Sequence, residues 1–150
     1  MEKSGDRTSR NGKVETNGKD YLASAKERLK EAEILKGAKS FAGSVSRSYY
    51  AFLDAATAAL ITKDLFPKSH TGAIDLFSLH FIKPGLVETK YIKWFKRIKK
   101  YREDADYKHR IPFTSEDAEE VYREAEEFVG MVEELFPKLV KHEARHKEKR

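Results

Sequence analysis

The stretch SFAGSVSRSYYAFLDAATAALIT, residues 40–62, decides the fold. Phe41, Val45, Tyr49, Phe52, Ala56 and Leu60 recur at the spacing of one helix face. The opposite side holds Tyr50, Ala51, Ala58 and Ile61, so the segment is apolar or small nearly all round. A helix of that kind sits centrally, with neighbours on several sides. Its alanines let those neighbours approach closely. The charges within it are Arg47 and Asp54, two turns apart with Tyr50 between them. They read either as a polar network that sets the packing or as part of the lining of a cleft.

Four more helical segments surround this one. The first runs from about Asp20, a capping residue type, to Gly37, with Leu22, Ala25, Leu29, Ala32 and Leu35 as its stripe. After the Phe66-Pro67 turn, Ser69 caps a short helix over about 70–81 that carries Ile74, Phe77, Leu79 and Phe81. Lys83-Pro84-Gly85 breaks the chain, and a fourth helix follows over about 88–106 with Tyr91, Trp94, Phe95, Ile98, Tyr101 and Ala105 on one face. Thr114 to Asp117 open the last helix with a cap and an acidic first turn, and its stripe runs from Ala118 to Phe136. Short links favour antiparallel neighbours. The expected architecture is an all-α, up-and-down bundle of four to five helices.

The expected domain spans residues 20–140. Residues 1–19 are rich in Gly, Ser, Asn and Lys and read as a disordered tail, and 141–150 read as a charged tail. A chain of 150 residues can bury one genuine core. With no cysteine there is no disulfide framework, thiolate metal site or cysteine nucleophile. No run nears the roughly 18 apolar residues of a membrane span, and the N-terminus lacks the apolar middle of a secretory signal. A cytoplasmic protein without a membrane role is expected.

The charge is unevenly placed. From Lys83 to Arg110 there are ten Lys/Arg against four Asp/Glu, and from Thr114 to Phe136 nine Asp/Glu against one Arg. The two faces either pair with each other inside the bundle or leave a basic surface for a polyanion such as RNA. At about 100° per residue, Arg102 falls on the inner face with Phe95 and Ile98, whereas Lys93, Lys96, Lys100 and Arg97 point the other way. A charge on an apolar stripe needs a partner such as Asp106, or a wet cleft. His70 and His80 lack partners at metal-ligand spacing, and His142 and His146 read as solvated; no metal site and no cofactor are expected.

Ser46-Arg47-Ser48-Tyr49-Tyr50-Ala51-Phe52 with the alanine-rich run behind it resembles the central helix of HEPN domains (higher eukaryotes and prokaryotes nucleotide-binding). Lys68-Ser69-His70-Thr71-Gly72, the segment from Phe77 to Gly85, Arg102 to Tyr107, and Glu116-Asp117-Ala118 are similar to later parts of that family, in the same order. The resemblance implies a helical bundle, often a homodimer, often beside a small nucleotidyltransferase partner as toxin and antitoxin. It implies, for active members, a metal-independent RNase with an Arg followed by a His after four to six residues. Arg102 and His109, with six residues between them, match at the upper limit of that window. Some toxins of the family have a Tyr two residues after the His; here Ile111 stands there.

Two functional readings follow. One is an endoribonuclease toxin with Arg102 and His109 as the catalytic pair. The other is a catalytically silent HEPN domain that binds nucleotide or RNA, or serves a nucleotidyltransferase as accessory subunit. In either, Arg47, Lys96, Lys99, Lys100 and Tyr107 are the candidate nucleotide or RNA contacts. A module used only for protein association is the third possibility.

Overall fold

The apolar run becomes α2, Phe41–Ile61, in a computed structural model that describes the backbone over residues 3–108 and 112–148 and the side chains over 12–104 and 112–146. Around it stand α1 (Lys3–Gly37), α3 (His70–Phe77), α4 (Thr89–Lys108) and α5 (Ser115–Glu148). Among the described residues the result is an all-α bundle of five helices, and α2 packs against all four others. Tyr49, Phe52, Ala55, Ala56, Ala58, Ala59 and Leu60 are completely buried, as an apolar surround requires. No helix among the described residues is long and apolar enough to cross a membrane.

The core is an aromatic stack that ties the helices together. Phe52 of α2 lies nearly parallel to Phe128 of α5, with ring centroids 4.5 Å apart, and 5.3 Å from Phe95 of α4. Phe77 of α3 meets Phe128 edge-on at 5.4 Å. Each such ring contributes about 1.5–3 kcal/mol through burial.

The caps at Ser69 and Thr114 form as expected. The Ser69 hydroxyl accepts from the Gly72 N–H at 2.9 Å. At the start of α5, Thr114 Oγ1 accepts from the Asp117 N–H while the Asp117 carboxylate accepts from the Thr114 N–H. Where α1 meets α2, Lys39 takes a left-handed φ of 64°. Its N–H reaches the Lys36 carbonyl and the next N–H reaches the Leu35 carbonyl, the pattern that closes a helix end.

Several boundaries differ from the sequence reading. Asp20 does not cap α1 but lies inside it, and residues 1–19, read as a disordered tail, are helical from Lys3. Part of the reason is Gly18, which faces Phe136 of α5 so closely that a β-carbon would come within 2.3 Å of the ring. The helix reading over 70–81 is corrected too: α3 ends at Phe77 and widens into a π turn over Ser78–Ile82. The turn stacks the buried Phe77 and Phe81 at 4.9 Å, and it leaves Leu79, assigned to the apolar stripe, half exposed. At the other end, α5 continues through Pro137 to Glu148, into residues 141–150 read as a charged tail. Leu139 is buried beyond the proline, and Glu143 pairs with Lys63 at 3.4 Å.

Gly18 makes a clear test. An alanine normally stabilises a helix by about 1 kcal/mol over glycine. At Gly130, where nothing lies within 4 Å, Gly130→Ala raises the melting temperature. Gly18→Ala lowers it, because displacing the Phe136 ring costs about 1–3 kcal/mol. Thermal unfolding of the two variants beside the parent checks the contrast.

Candidate functional site

Successive residues on a helix point about 100° apart, so Tyr49 and Tyr50 reach different neighbours from adjacent positions on α2. Their rings meet edge-on at 5.5 Å. Arg102, on the last turns of α4, lies across both. Its guanidinium carbon is 5.3 Å from the Tyr49 ring and 5.6 Å from the Tyr50 ring. One guanidinium N–H donates to the Tyr50 hydroxyl at 3.0 Å. Burial pushes the Tyr49 phenol well above its usual range, so it stays protonated.

His70 opens α3 on the same side. Its ring is 5.5 Å from Tyr49 and 5.9 Å from Tyr50. Burial, and then the positive charges of Arg102 and Lys99, lower its proton affinity below the ordinary value of 6.5, against the opposite pull of Glu103. The imidazole is neutral at neutral pH. Glu103 itself accepts from Lys99 at 2.7 Å and stays ionised.

Tyr50 joins this cluster to a second one between α1 and α2. The Arg28 guanidinium carbon lies 6.0 Å from the Tyr50 ring. Asp54 accepts from the Ser24 hydroxyl at 2.7 Å and lies 3.8 Å from Arg28 Nε. Glu31 sits 3.5 Å from Arg28 and 3.8 Å from Arg47. Burial raises the Asp54 carboxyl, with the Ser24 bond and Arg28 acting against it. Arg47 and Asp54 thus belong to a network of ionic and polar groups that reaches Tyr50 through Arg28, and Tyr50 in turn bonds Arg102.

The basic stretch divides between two tasks. Arg97, expected to point outward, turns toward α5 and pairs with Glu124 and, at 3.3 Å, with Glu120. Lys90 and the Tyr91 hydroxyl both bond Glu127, at 2.8 and 2.9 Å. Lys26 and Lys36 of α1 take Glu133 and Glu119. The acidic face of α5 is in this way compensated inside the bundle. Lys93, Lys96 and Lys100 make no ion pair with the described residues. A groove of about 490 Å³ separates α3 from α4, with Lys96, Lys99 and Lys100 on its α4 side. Asp75, Glu103 and Asp104 also line it, so its charge is mixed.

A family profile described as the HEPN domain matches residues 19–135. The chain belongs to the HEPN family. A protein of Methanocaldococcus jannaschii named as a candidate toxin is 37% identical over 116 residues, 77% of this chain and 86% of that protein. A UPF0332 protein of Thermotoga maritima is 30% identical over 115 residues, 77% of this chain and 87% of its own length. A second candidate toxin of M. jannaschii is 31% identical over 98 residues, covering 65% of this chain and 67% of that protein.

Within this HEPN domain the nominated residues fall as follows. Arg102 lies in the aromatic cluster, and Lys96, Lys99 and Lys100 share the groove beside it. Arg47 stands apart from those lysines, with Glu31. Tyr107 is on α4, but its side chain and that of Asp106 lie outside the described residues, as does His109. The sequence reading passed over His70 as a functional group, along with Tyr49, Tyr50 and Arg28. The Tyr doublet was visible as a signature, but no local pattern links His70 to Arg102. They meet because α3 and α4 both pack on α2.

Proposed function

We propose that this HEPN protein is a metal-independent endoribonuclease, the toxin of a pair whose antitoxin is a small nucleotidyltransferase, working in the cytoplasm as a homodimer. The seat of Arg102 carries the reading: a guanidinium laid over two tyrosine rings and bonded to Tyr50, beside a groove holding Lys96, Lys99 and Lys100. A guanidinium oriented in this way meets a phosphodiester with two parallel hydrogen bonds. The RNA's own 2′-hydroxyl is the nucleophile. Arg102 stabilises the charge that develops at phosphorus, and His109 transfers a proton at the reacting oxygens. The lysines, with Arg47 and Tyr107, hold flanking nucleotides. In a symmetric dimer two copies of the pair converge on one composite site.

The test is incubation of the purified protein with labelled RNAs in EDTA, beside His109→Ala. Cleavage by the parent alone, leaving cyclic-phosphate ends, is the expected result. Cleavage by both proteins removes His109 from the site. Cleavage by neither favours a second reading, an HEPN domain that binds nucleotide or RNA without cutting. That reading draws on the six residues between Arg102 and His109, the far limit of the family spacing.

A further inference from the structure

The groove between α3 and α4 holds charges of both signs that do not meet. Lys96, Lys100 and Asp104 line it from α4, and Asp75 lines it from α3. None of these four makes an ion pair with the described residues. Elsewhere on the bundle such groups do pair, as Lys36 does with Glu119, Lys90 with Glu127 and Arg97 with Glu124. Opposite charges held apart across an open groove suit a ligand that brings an anion and hydrogen-bond donors together. A nucleotide is such a ligand, with phosphate at one end and a base edge at the other. The volume of about 490 Å³ falls within the usual span of small-ligand sites, about 300–1,000 Å³.

The three carboxylates of the groove differ in what they can still accept. Glu103 is bonded by Lys99 at 2.7 Å. Asp104 has Lys100 one turn back on its own helix, within ordinary pairing reach. Asp75 has no cation one turn away, because Thr71, Gly72, Ser78 and Leu79 hold those positions. It is exposed, and the edge of the buried Ile74 beside it adds an apolar surface to the groove wall. The groove also adjoins Arg102. Lys99 and Glu103 line it and face His70, whose ring contacts the two tyrosines under the Arg102 guanidinium.

We propose that this groove is a base-reading subsite: it takes one guanine of a single-stranded RNA, with Asp75 on the base edge and Lys96 and Lys100 on the phosphate. The proposal deepens the nuclease reading above, in which the phosphodiester on Arg102 belongs to the same strand. An ionised carboxylate is acceptor-only, with two oxygens side by side. Guanine presents two parallel donors to it on one edge, the ring N1–H and the 2-amino group. Adenine and cytosine each set one amino donor beside a ring-nitrogen acceptor, which repels the second carboxylate oxygen. Uracil has one N–H between two carbonyls. The edge that Asp75 reads is open only in an unpaired base, so a duplex does not enter. The lysines contact phosphate whatever the base, and so add affinity without selectivity.

The experiment measures binding by fluorescence anisotropy, apart from cleavage. Its probes are labelled 2′-O-methyl oligouridylates with one central guanosine, inosine, adenosine or cytidine, which cannot be cut through a 2′-hydroxyl. The parent is expected to bind the guanosine probe about 10-fold more tightly than the adenosine and cytidine probes. Inosine, which lacks the 2-amino donor, loses most of that preference. Asp75→Asn brings all the probes to similar affinity. Replacing Lys96 and Lys100 by Ala weakens all of them alike and flattens the salt dependence, while the order of the bases stays. Equal affinity of the parent for all the probes overturns the proposal, as does a guanine preference that survives in Asp75→Asn. Free guanosine 5′-monophosphate that competes at equal concentration assigns the groove to a nucleotide rather than to RNA, and overturns it too. Cleavage of unmodified RNA in EDTA by the same parent protein is scored separately. Cleavage without base preference in binding leaves the nuclease reading standing alone, and guanine-selective binding without cleavage leaves the groove standing alone.

Discussion

Arg102→Ala lowers RNA cleavage by about 10³-fold, the upper range for removing one group that stabilises transition-state charge, and leaves the bundle folded. The reason for the separation lies in what Arg102 touches. Among its contacts in the fold are a hydrogen bond to the neutral Tyr50 hydroxyl and the faces of two rings. Such contacts are worth about 1 kcal/mol for the bond and about 0.5–2 kcal/mol for the stacking. In the proposed reaction it meets a phosphorane-like charge with a fixed fork of donors. Arg102→Lys keeps the charge but loses the planar fork and the stacking, so it recovers only a small part of the rate. Tyr50→Phe removes only the hydroxyl that orients the guanidinium. Its effect is expected mainly in the rate of bound substrate, with little change in RNA affinity. Single-turnover cleavage together with circular dichroism of each variant reads both halves of the statement. An Arg102→Ala protein that cuts RNA at the parental rate would remove Arg102 from the chemistry.

The largest effect on stability is expected at Phe128. Its ring lies against Phe52, Phe77, Tyr91 and Phe95, so a single side chain joins α2, α3, α4 and α5. Phe128→Ala removes the ring and leaves a cavity that rigid helices cannot close from four sides. The cost is about 3–5 kcal/mol, a fall in melting temperature of roughly 6–20 °C for a chain of this size. Phe128→Leu keeps most of the volume and loses much less. Urea unfolding followed by circular dichroism measures both. A fall no larger than that of an exposed substitution such as Phe66→Ala would mean that the stack does not act as the centre of the core.

Much of the fold could be read from residue order. The near-complete apolar surround of α2 shows that it is central, and the caps at Ser69 and Thr114 mark two helix starts. Less legible were the ends of α1 and α5. Polar composition at residues 1–19 and 141–150 looked like solvated tail, but Gly18 packs against Phe136 of α5 and Glu143 pairs with Lys63 just past the end of α2. The π turn after Phe77 is similar: periodicity allows a regular helix, whereas in the fold the chain widens there and Phe77 stacks on Phe81.

By itself, the sequence determined that this protein is an all-α HEPN bundle, that α2 is its centre, and that Arg102 lies on the inner face of its helix. These are properties of a residue relative to its own helix axis, which spacing records directly. The tertiary structure alone decided that Arg97 and Lys90 neutralise α5 while Lys96 and Lys100 do not, and that His70 comes to the tyrosines under Arg102. Those are relations between helices. They depend on how α3, α4 and α5 are rotated and seated against α2, and that is set by the packing of all their side chains together.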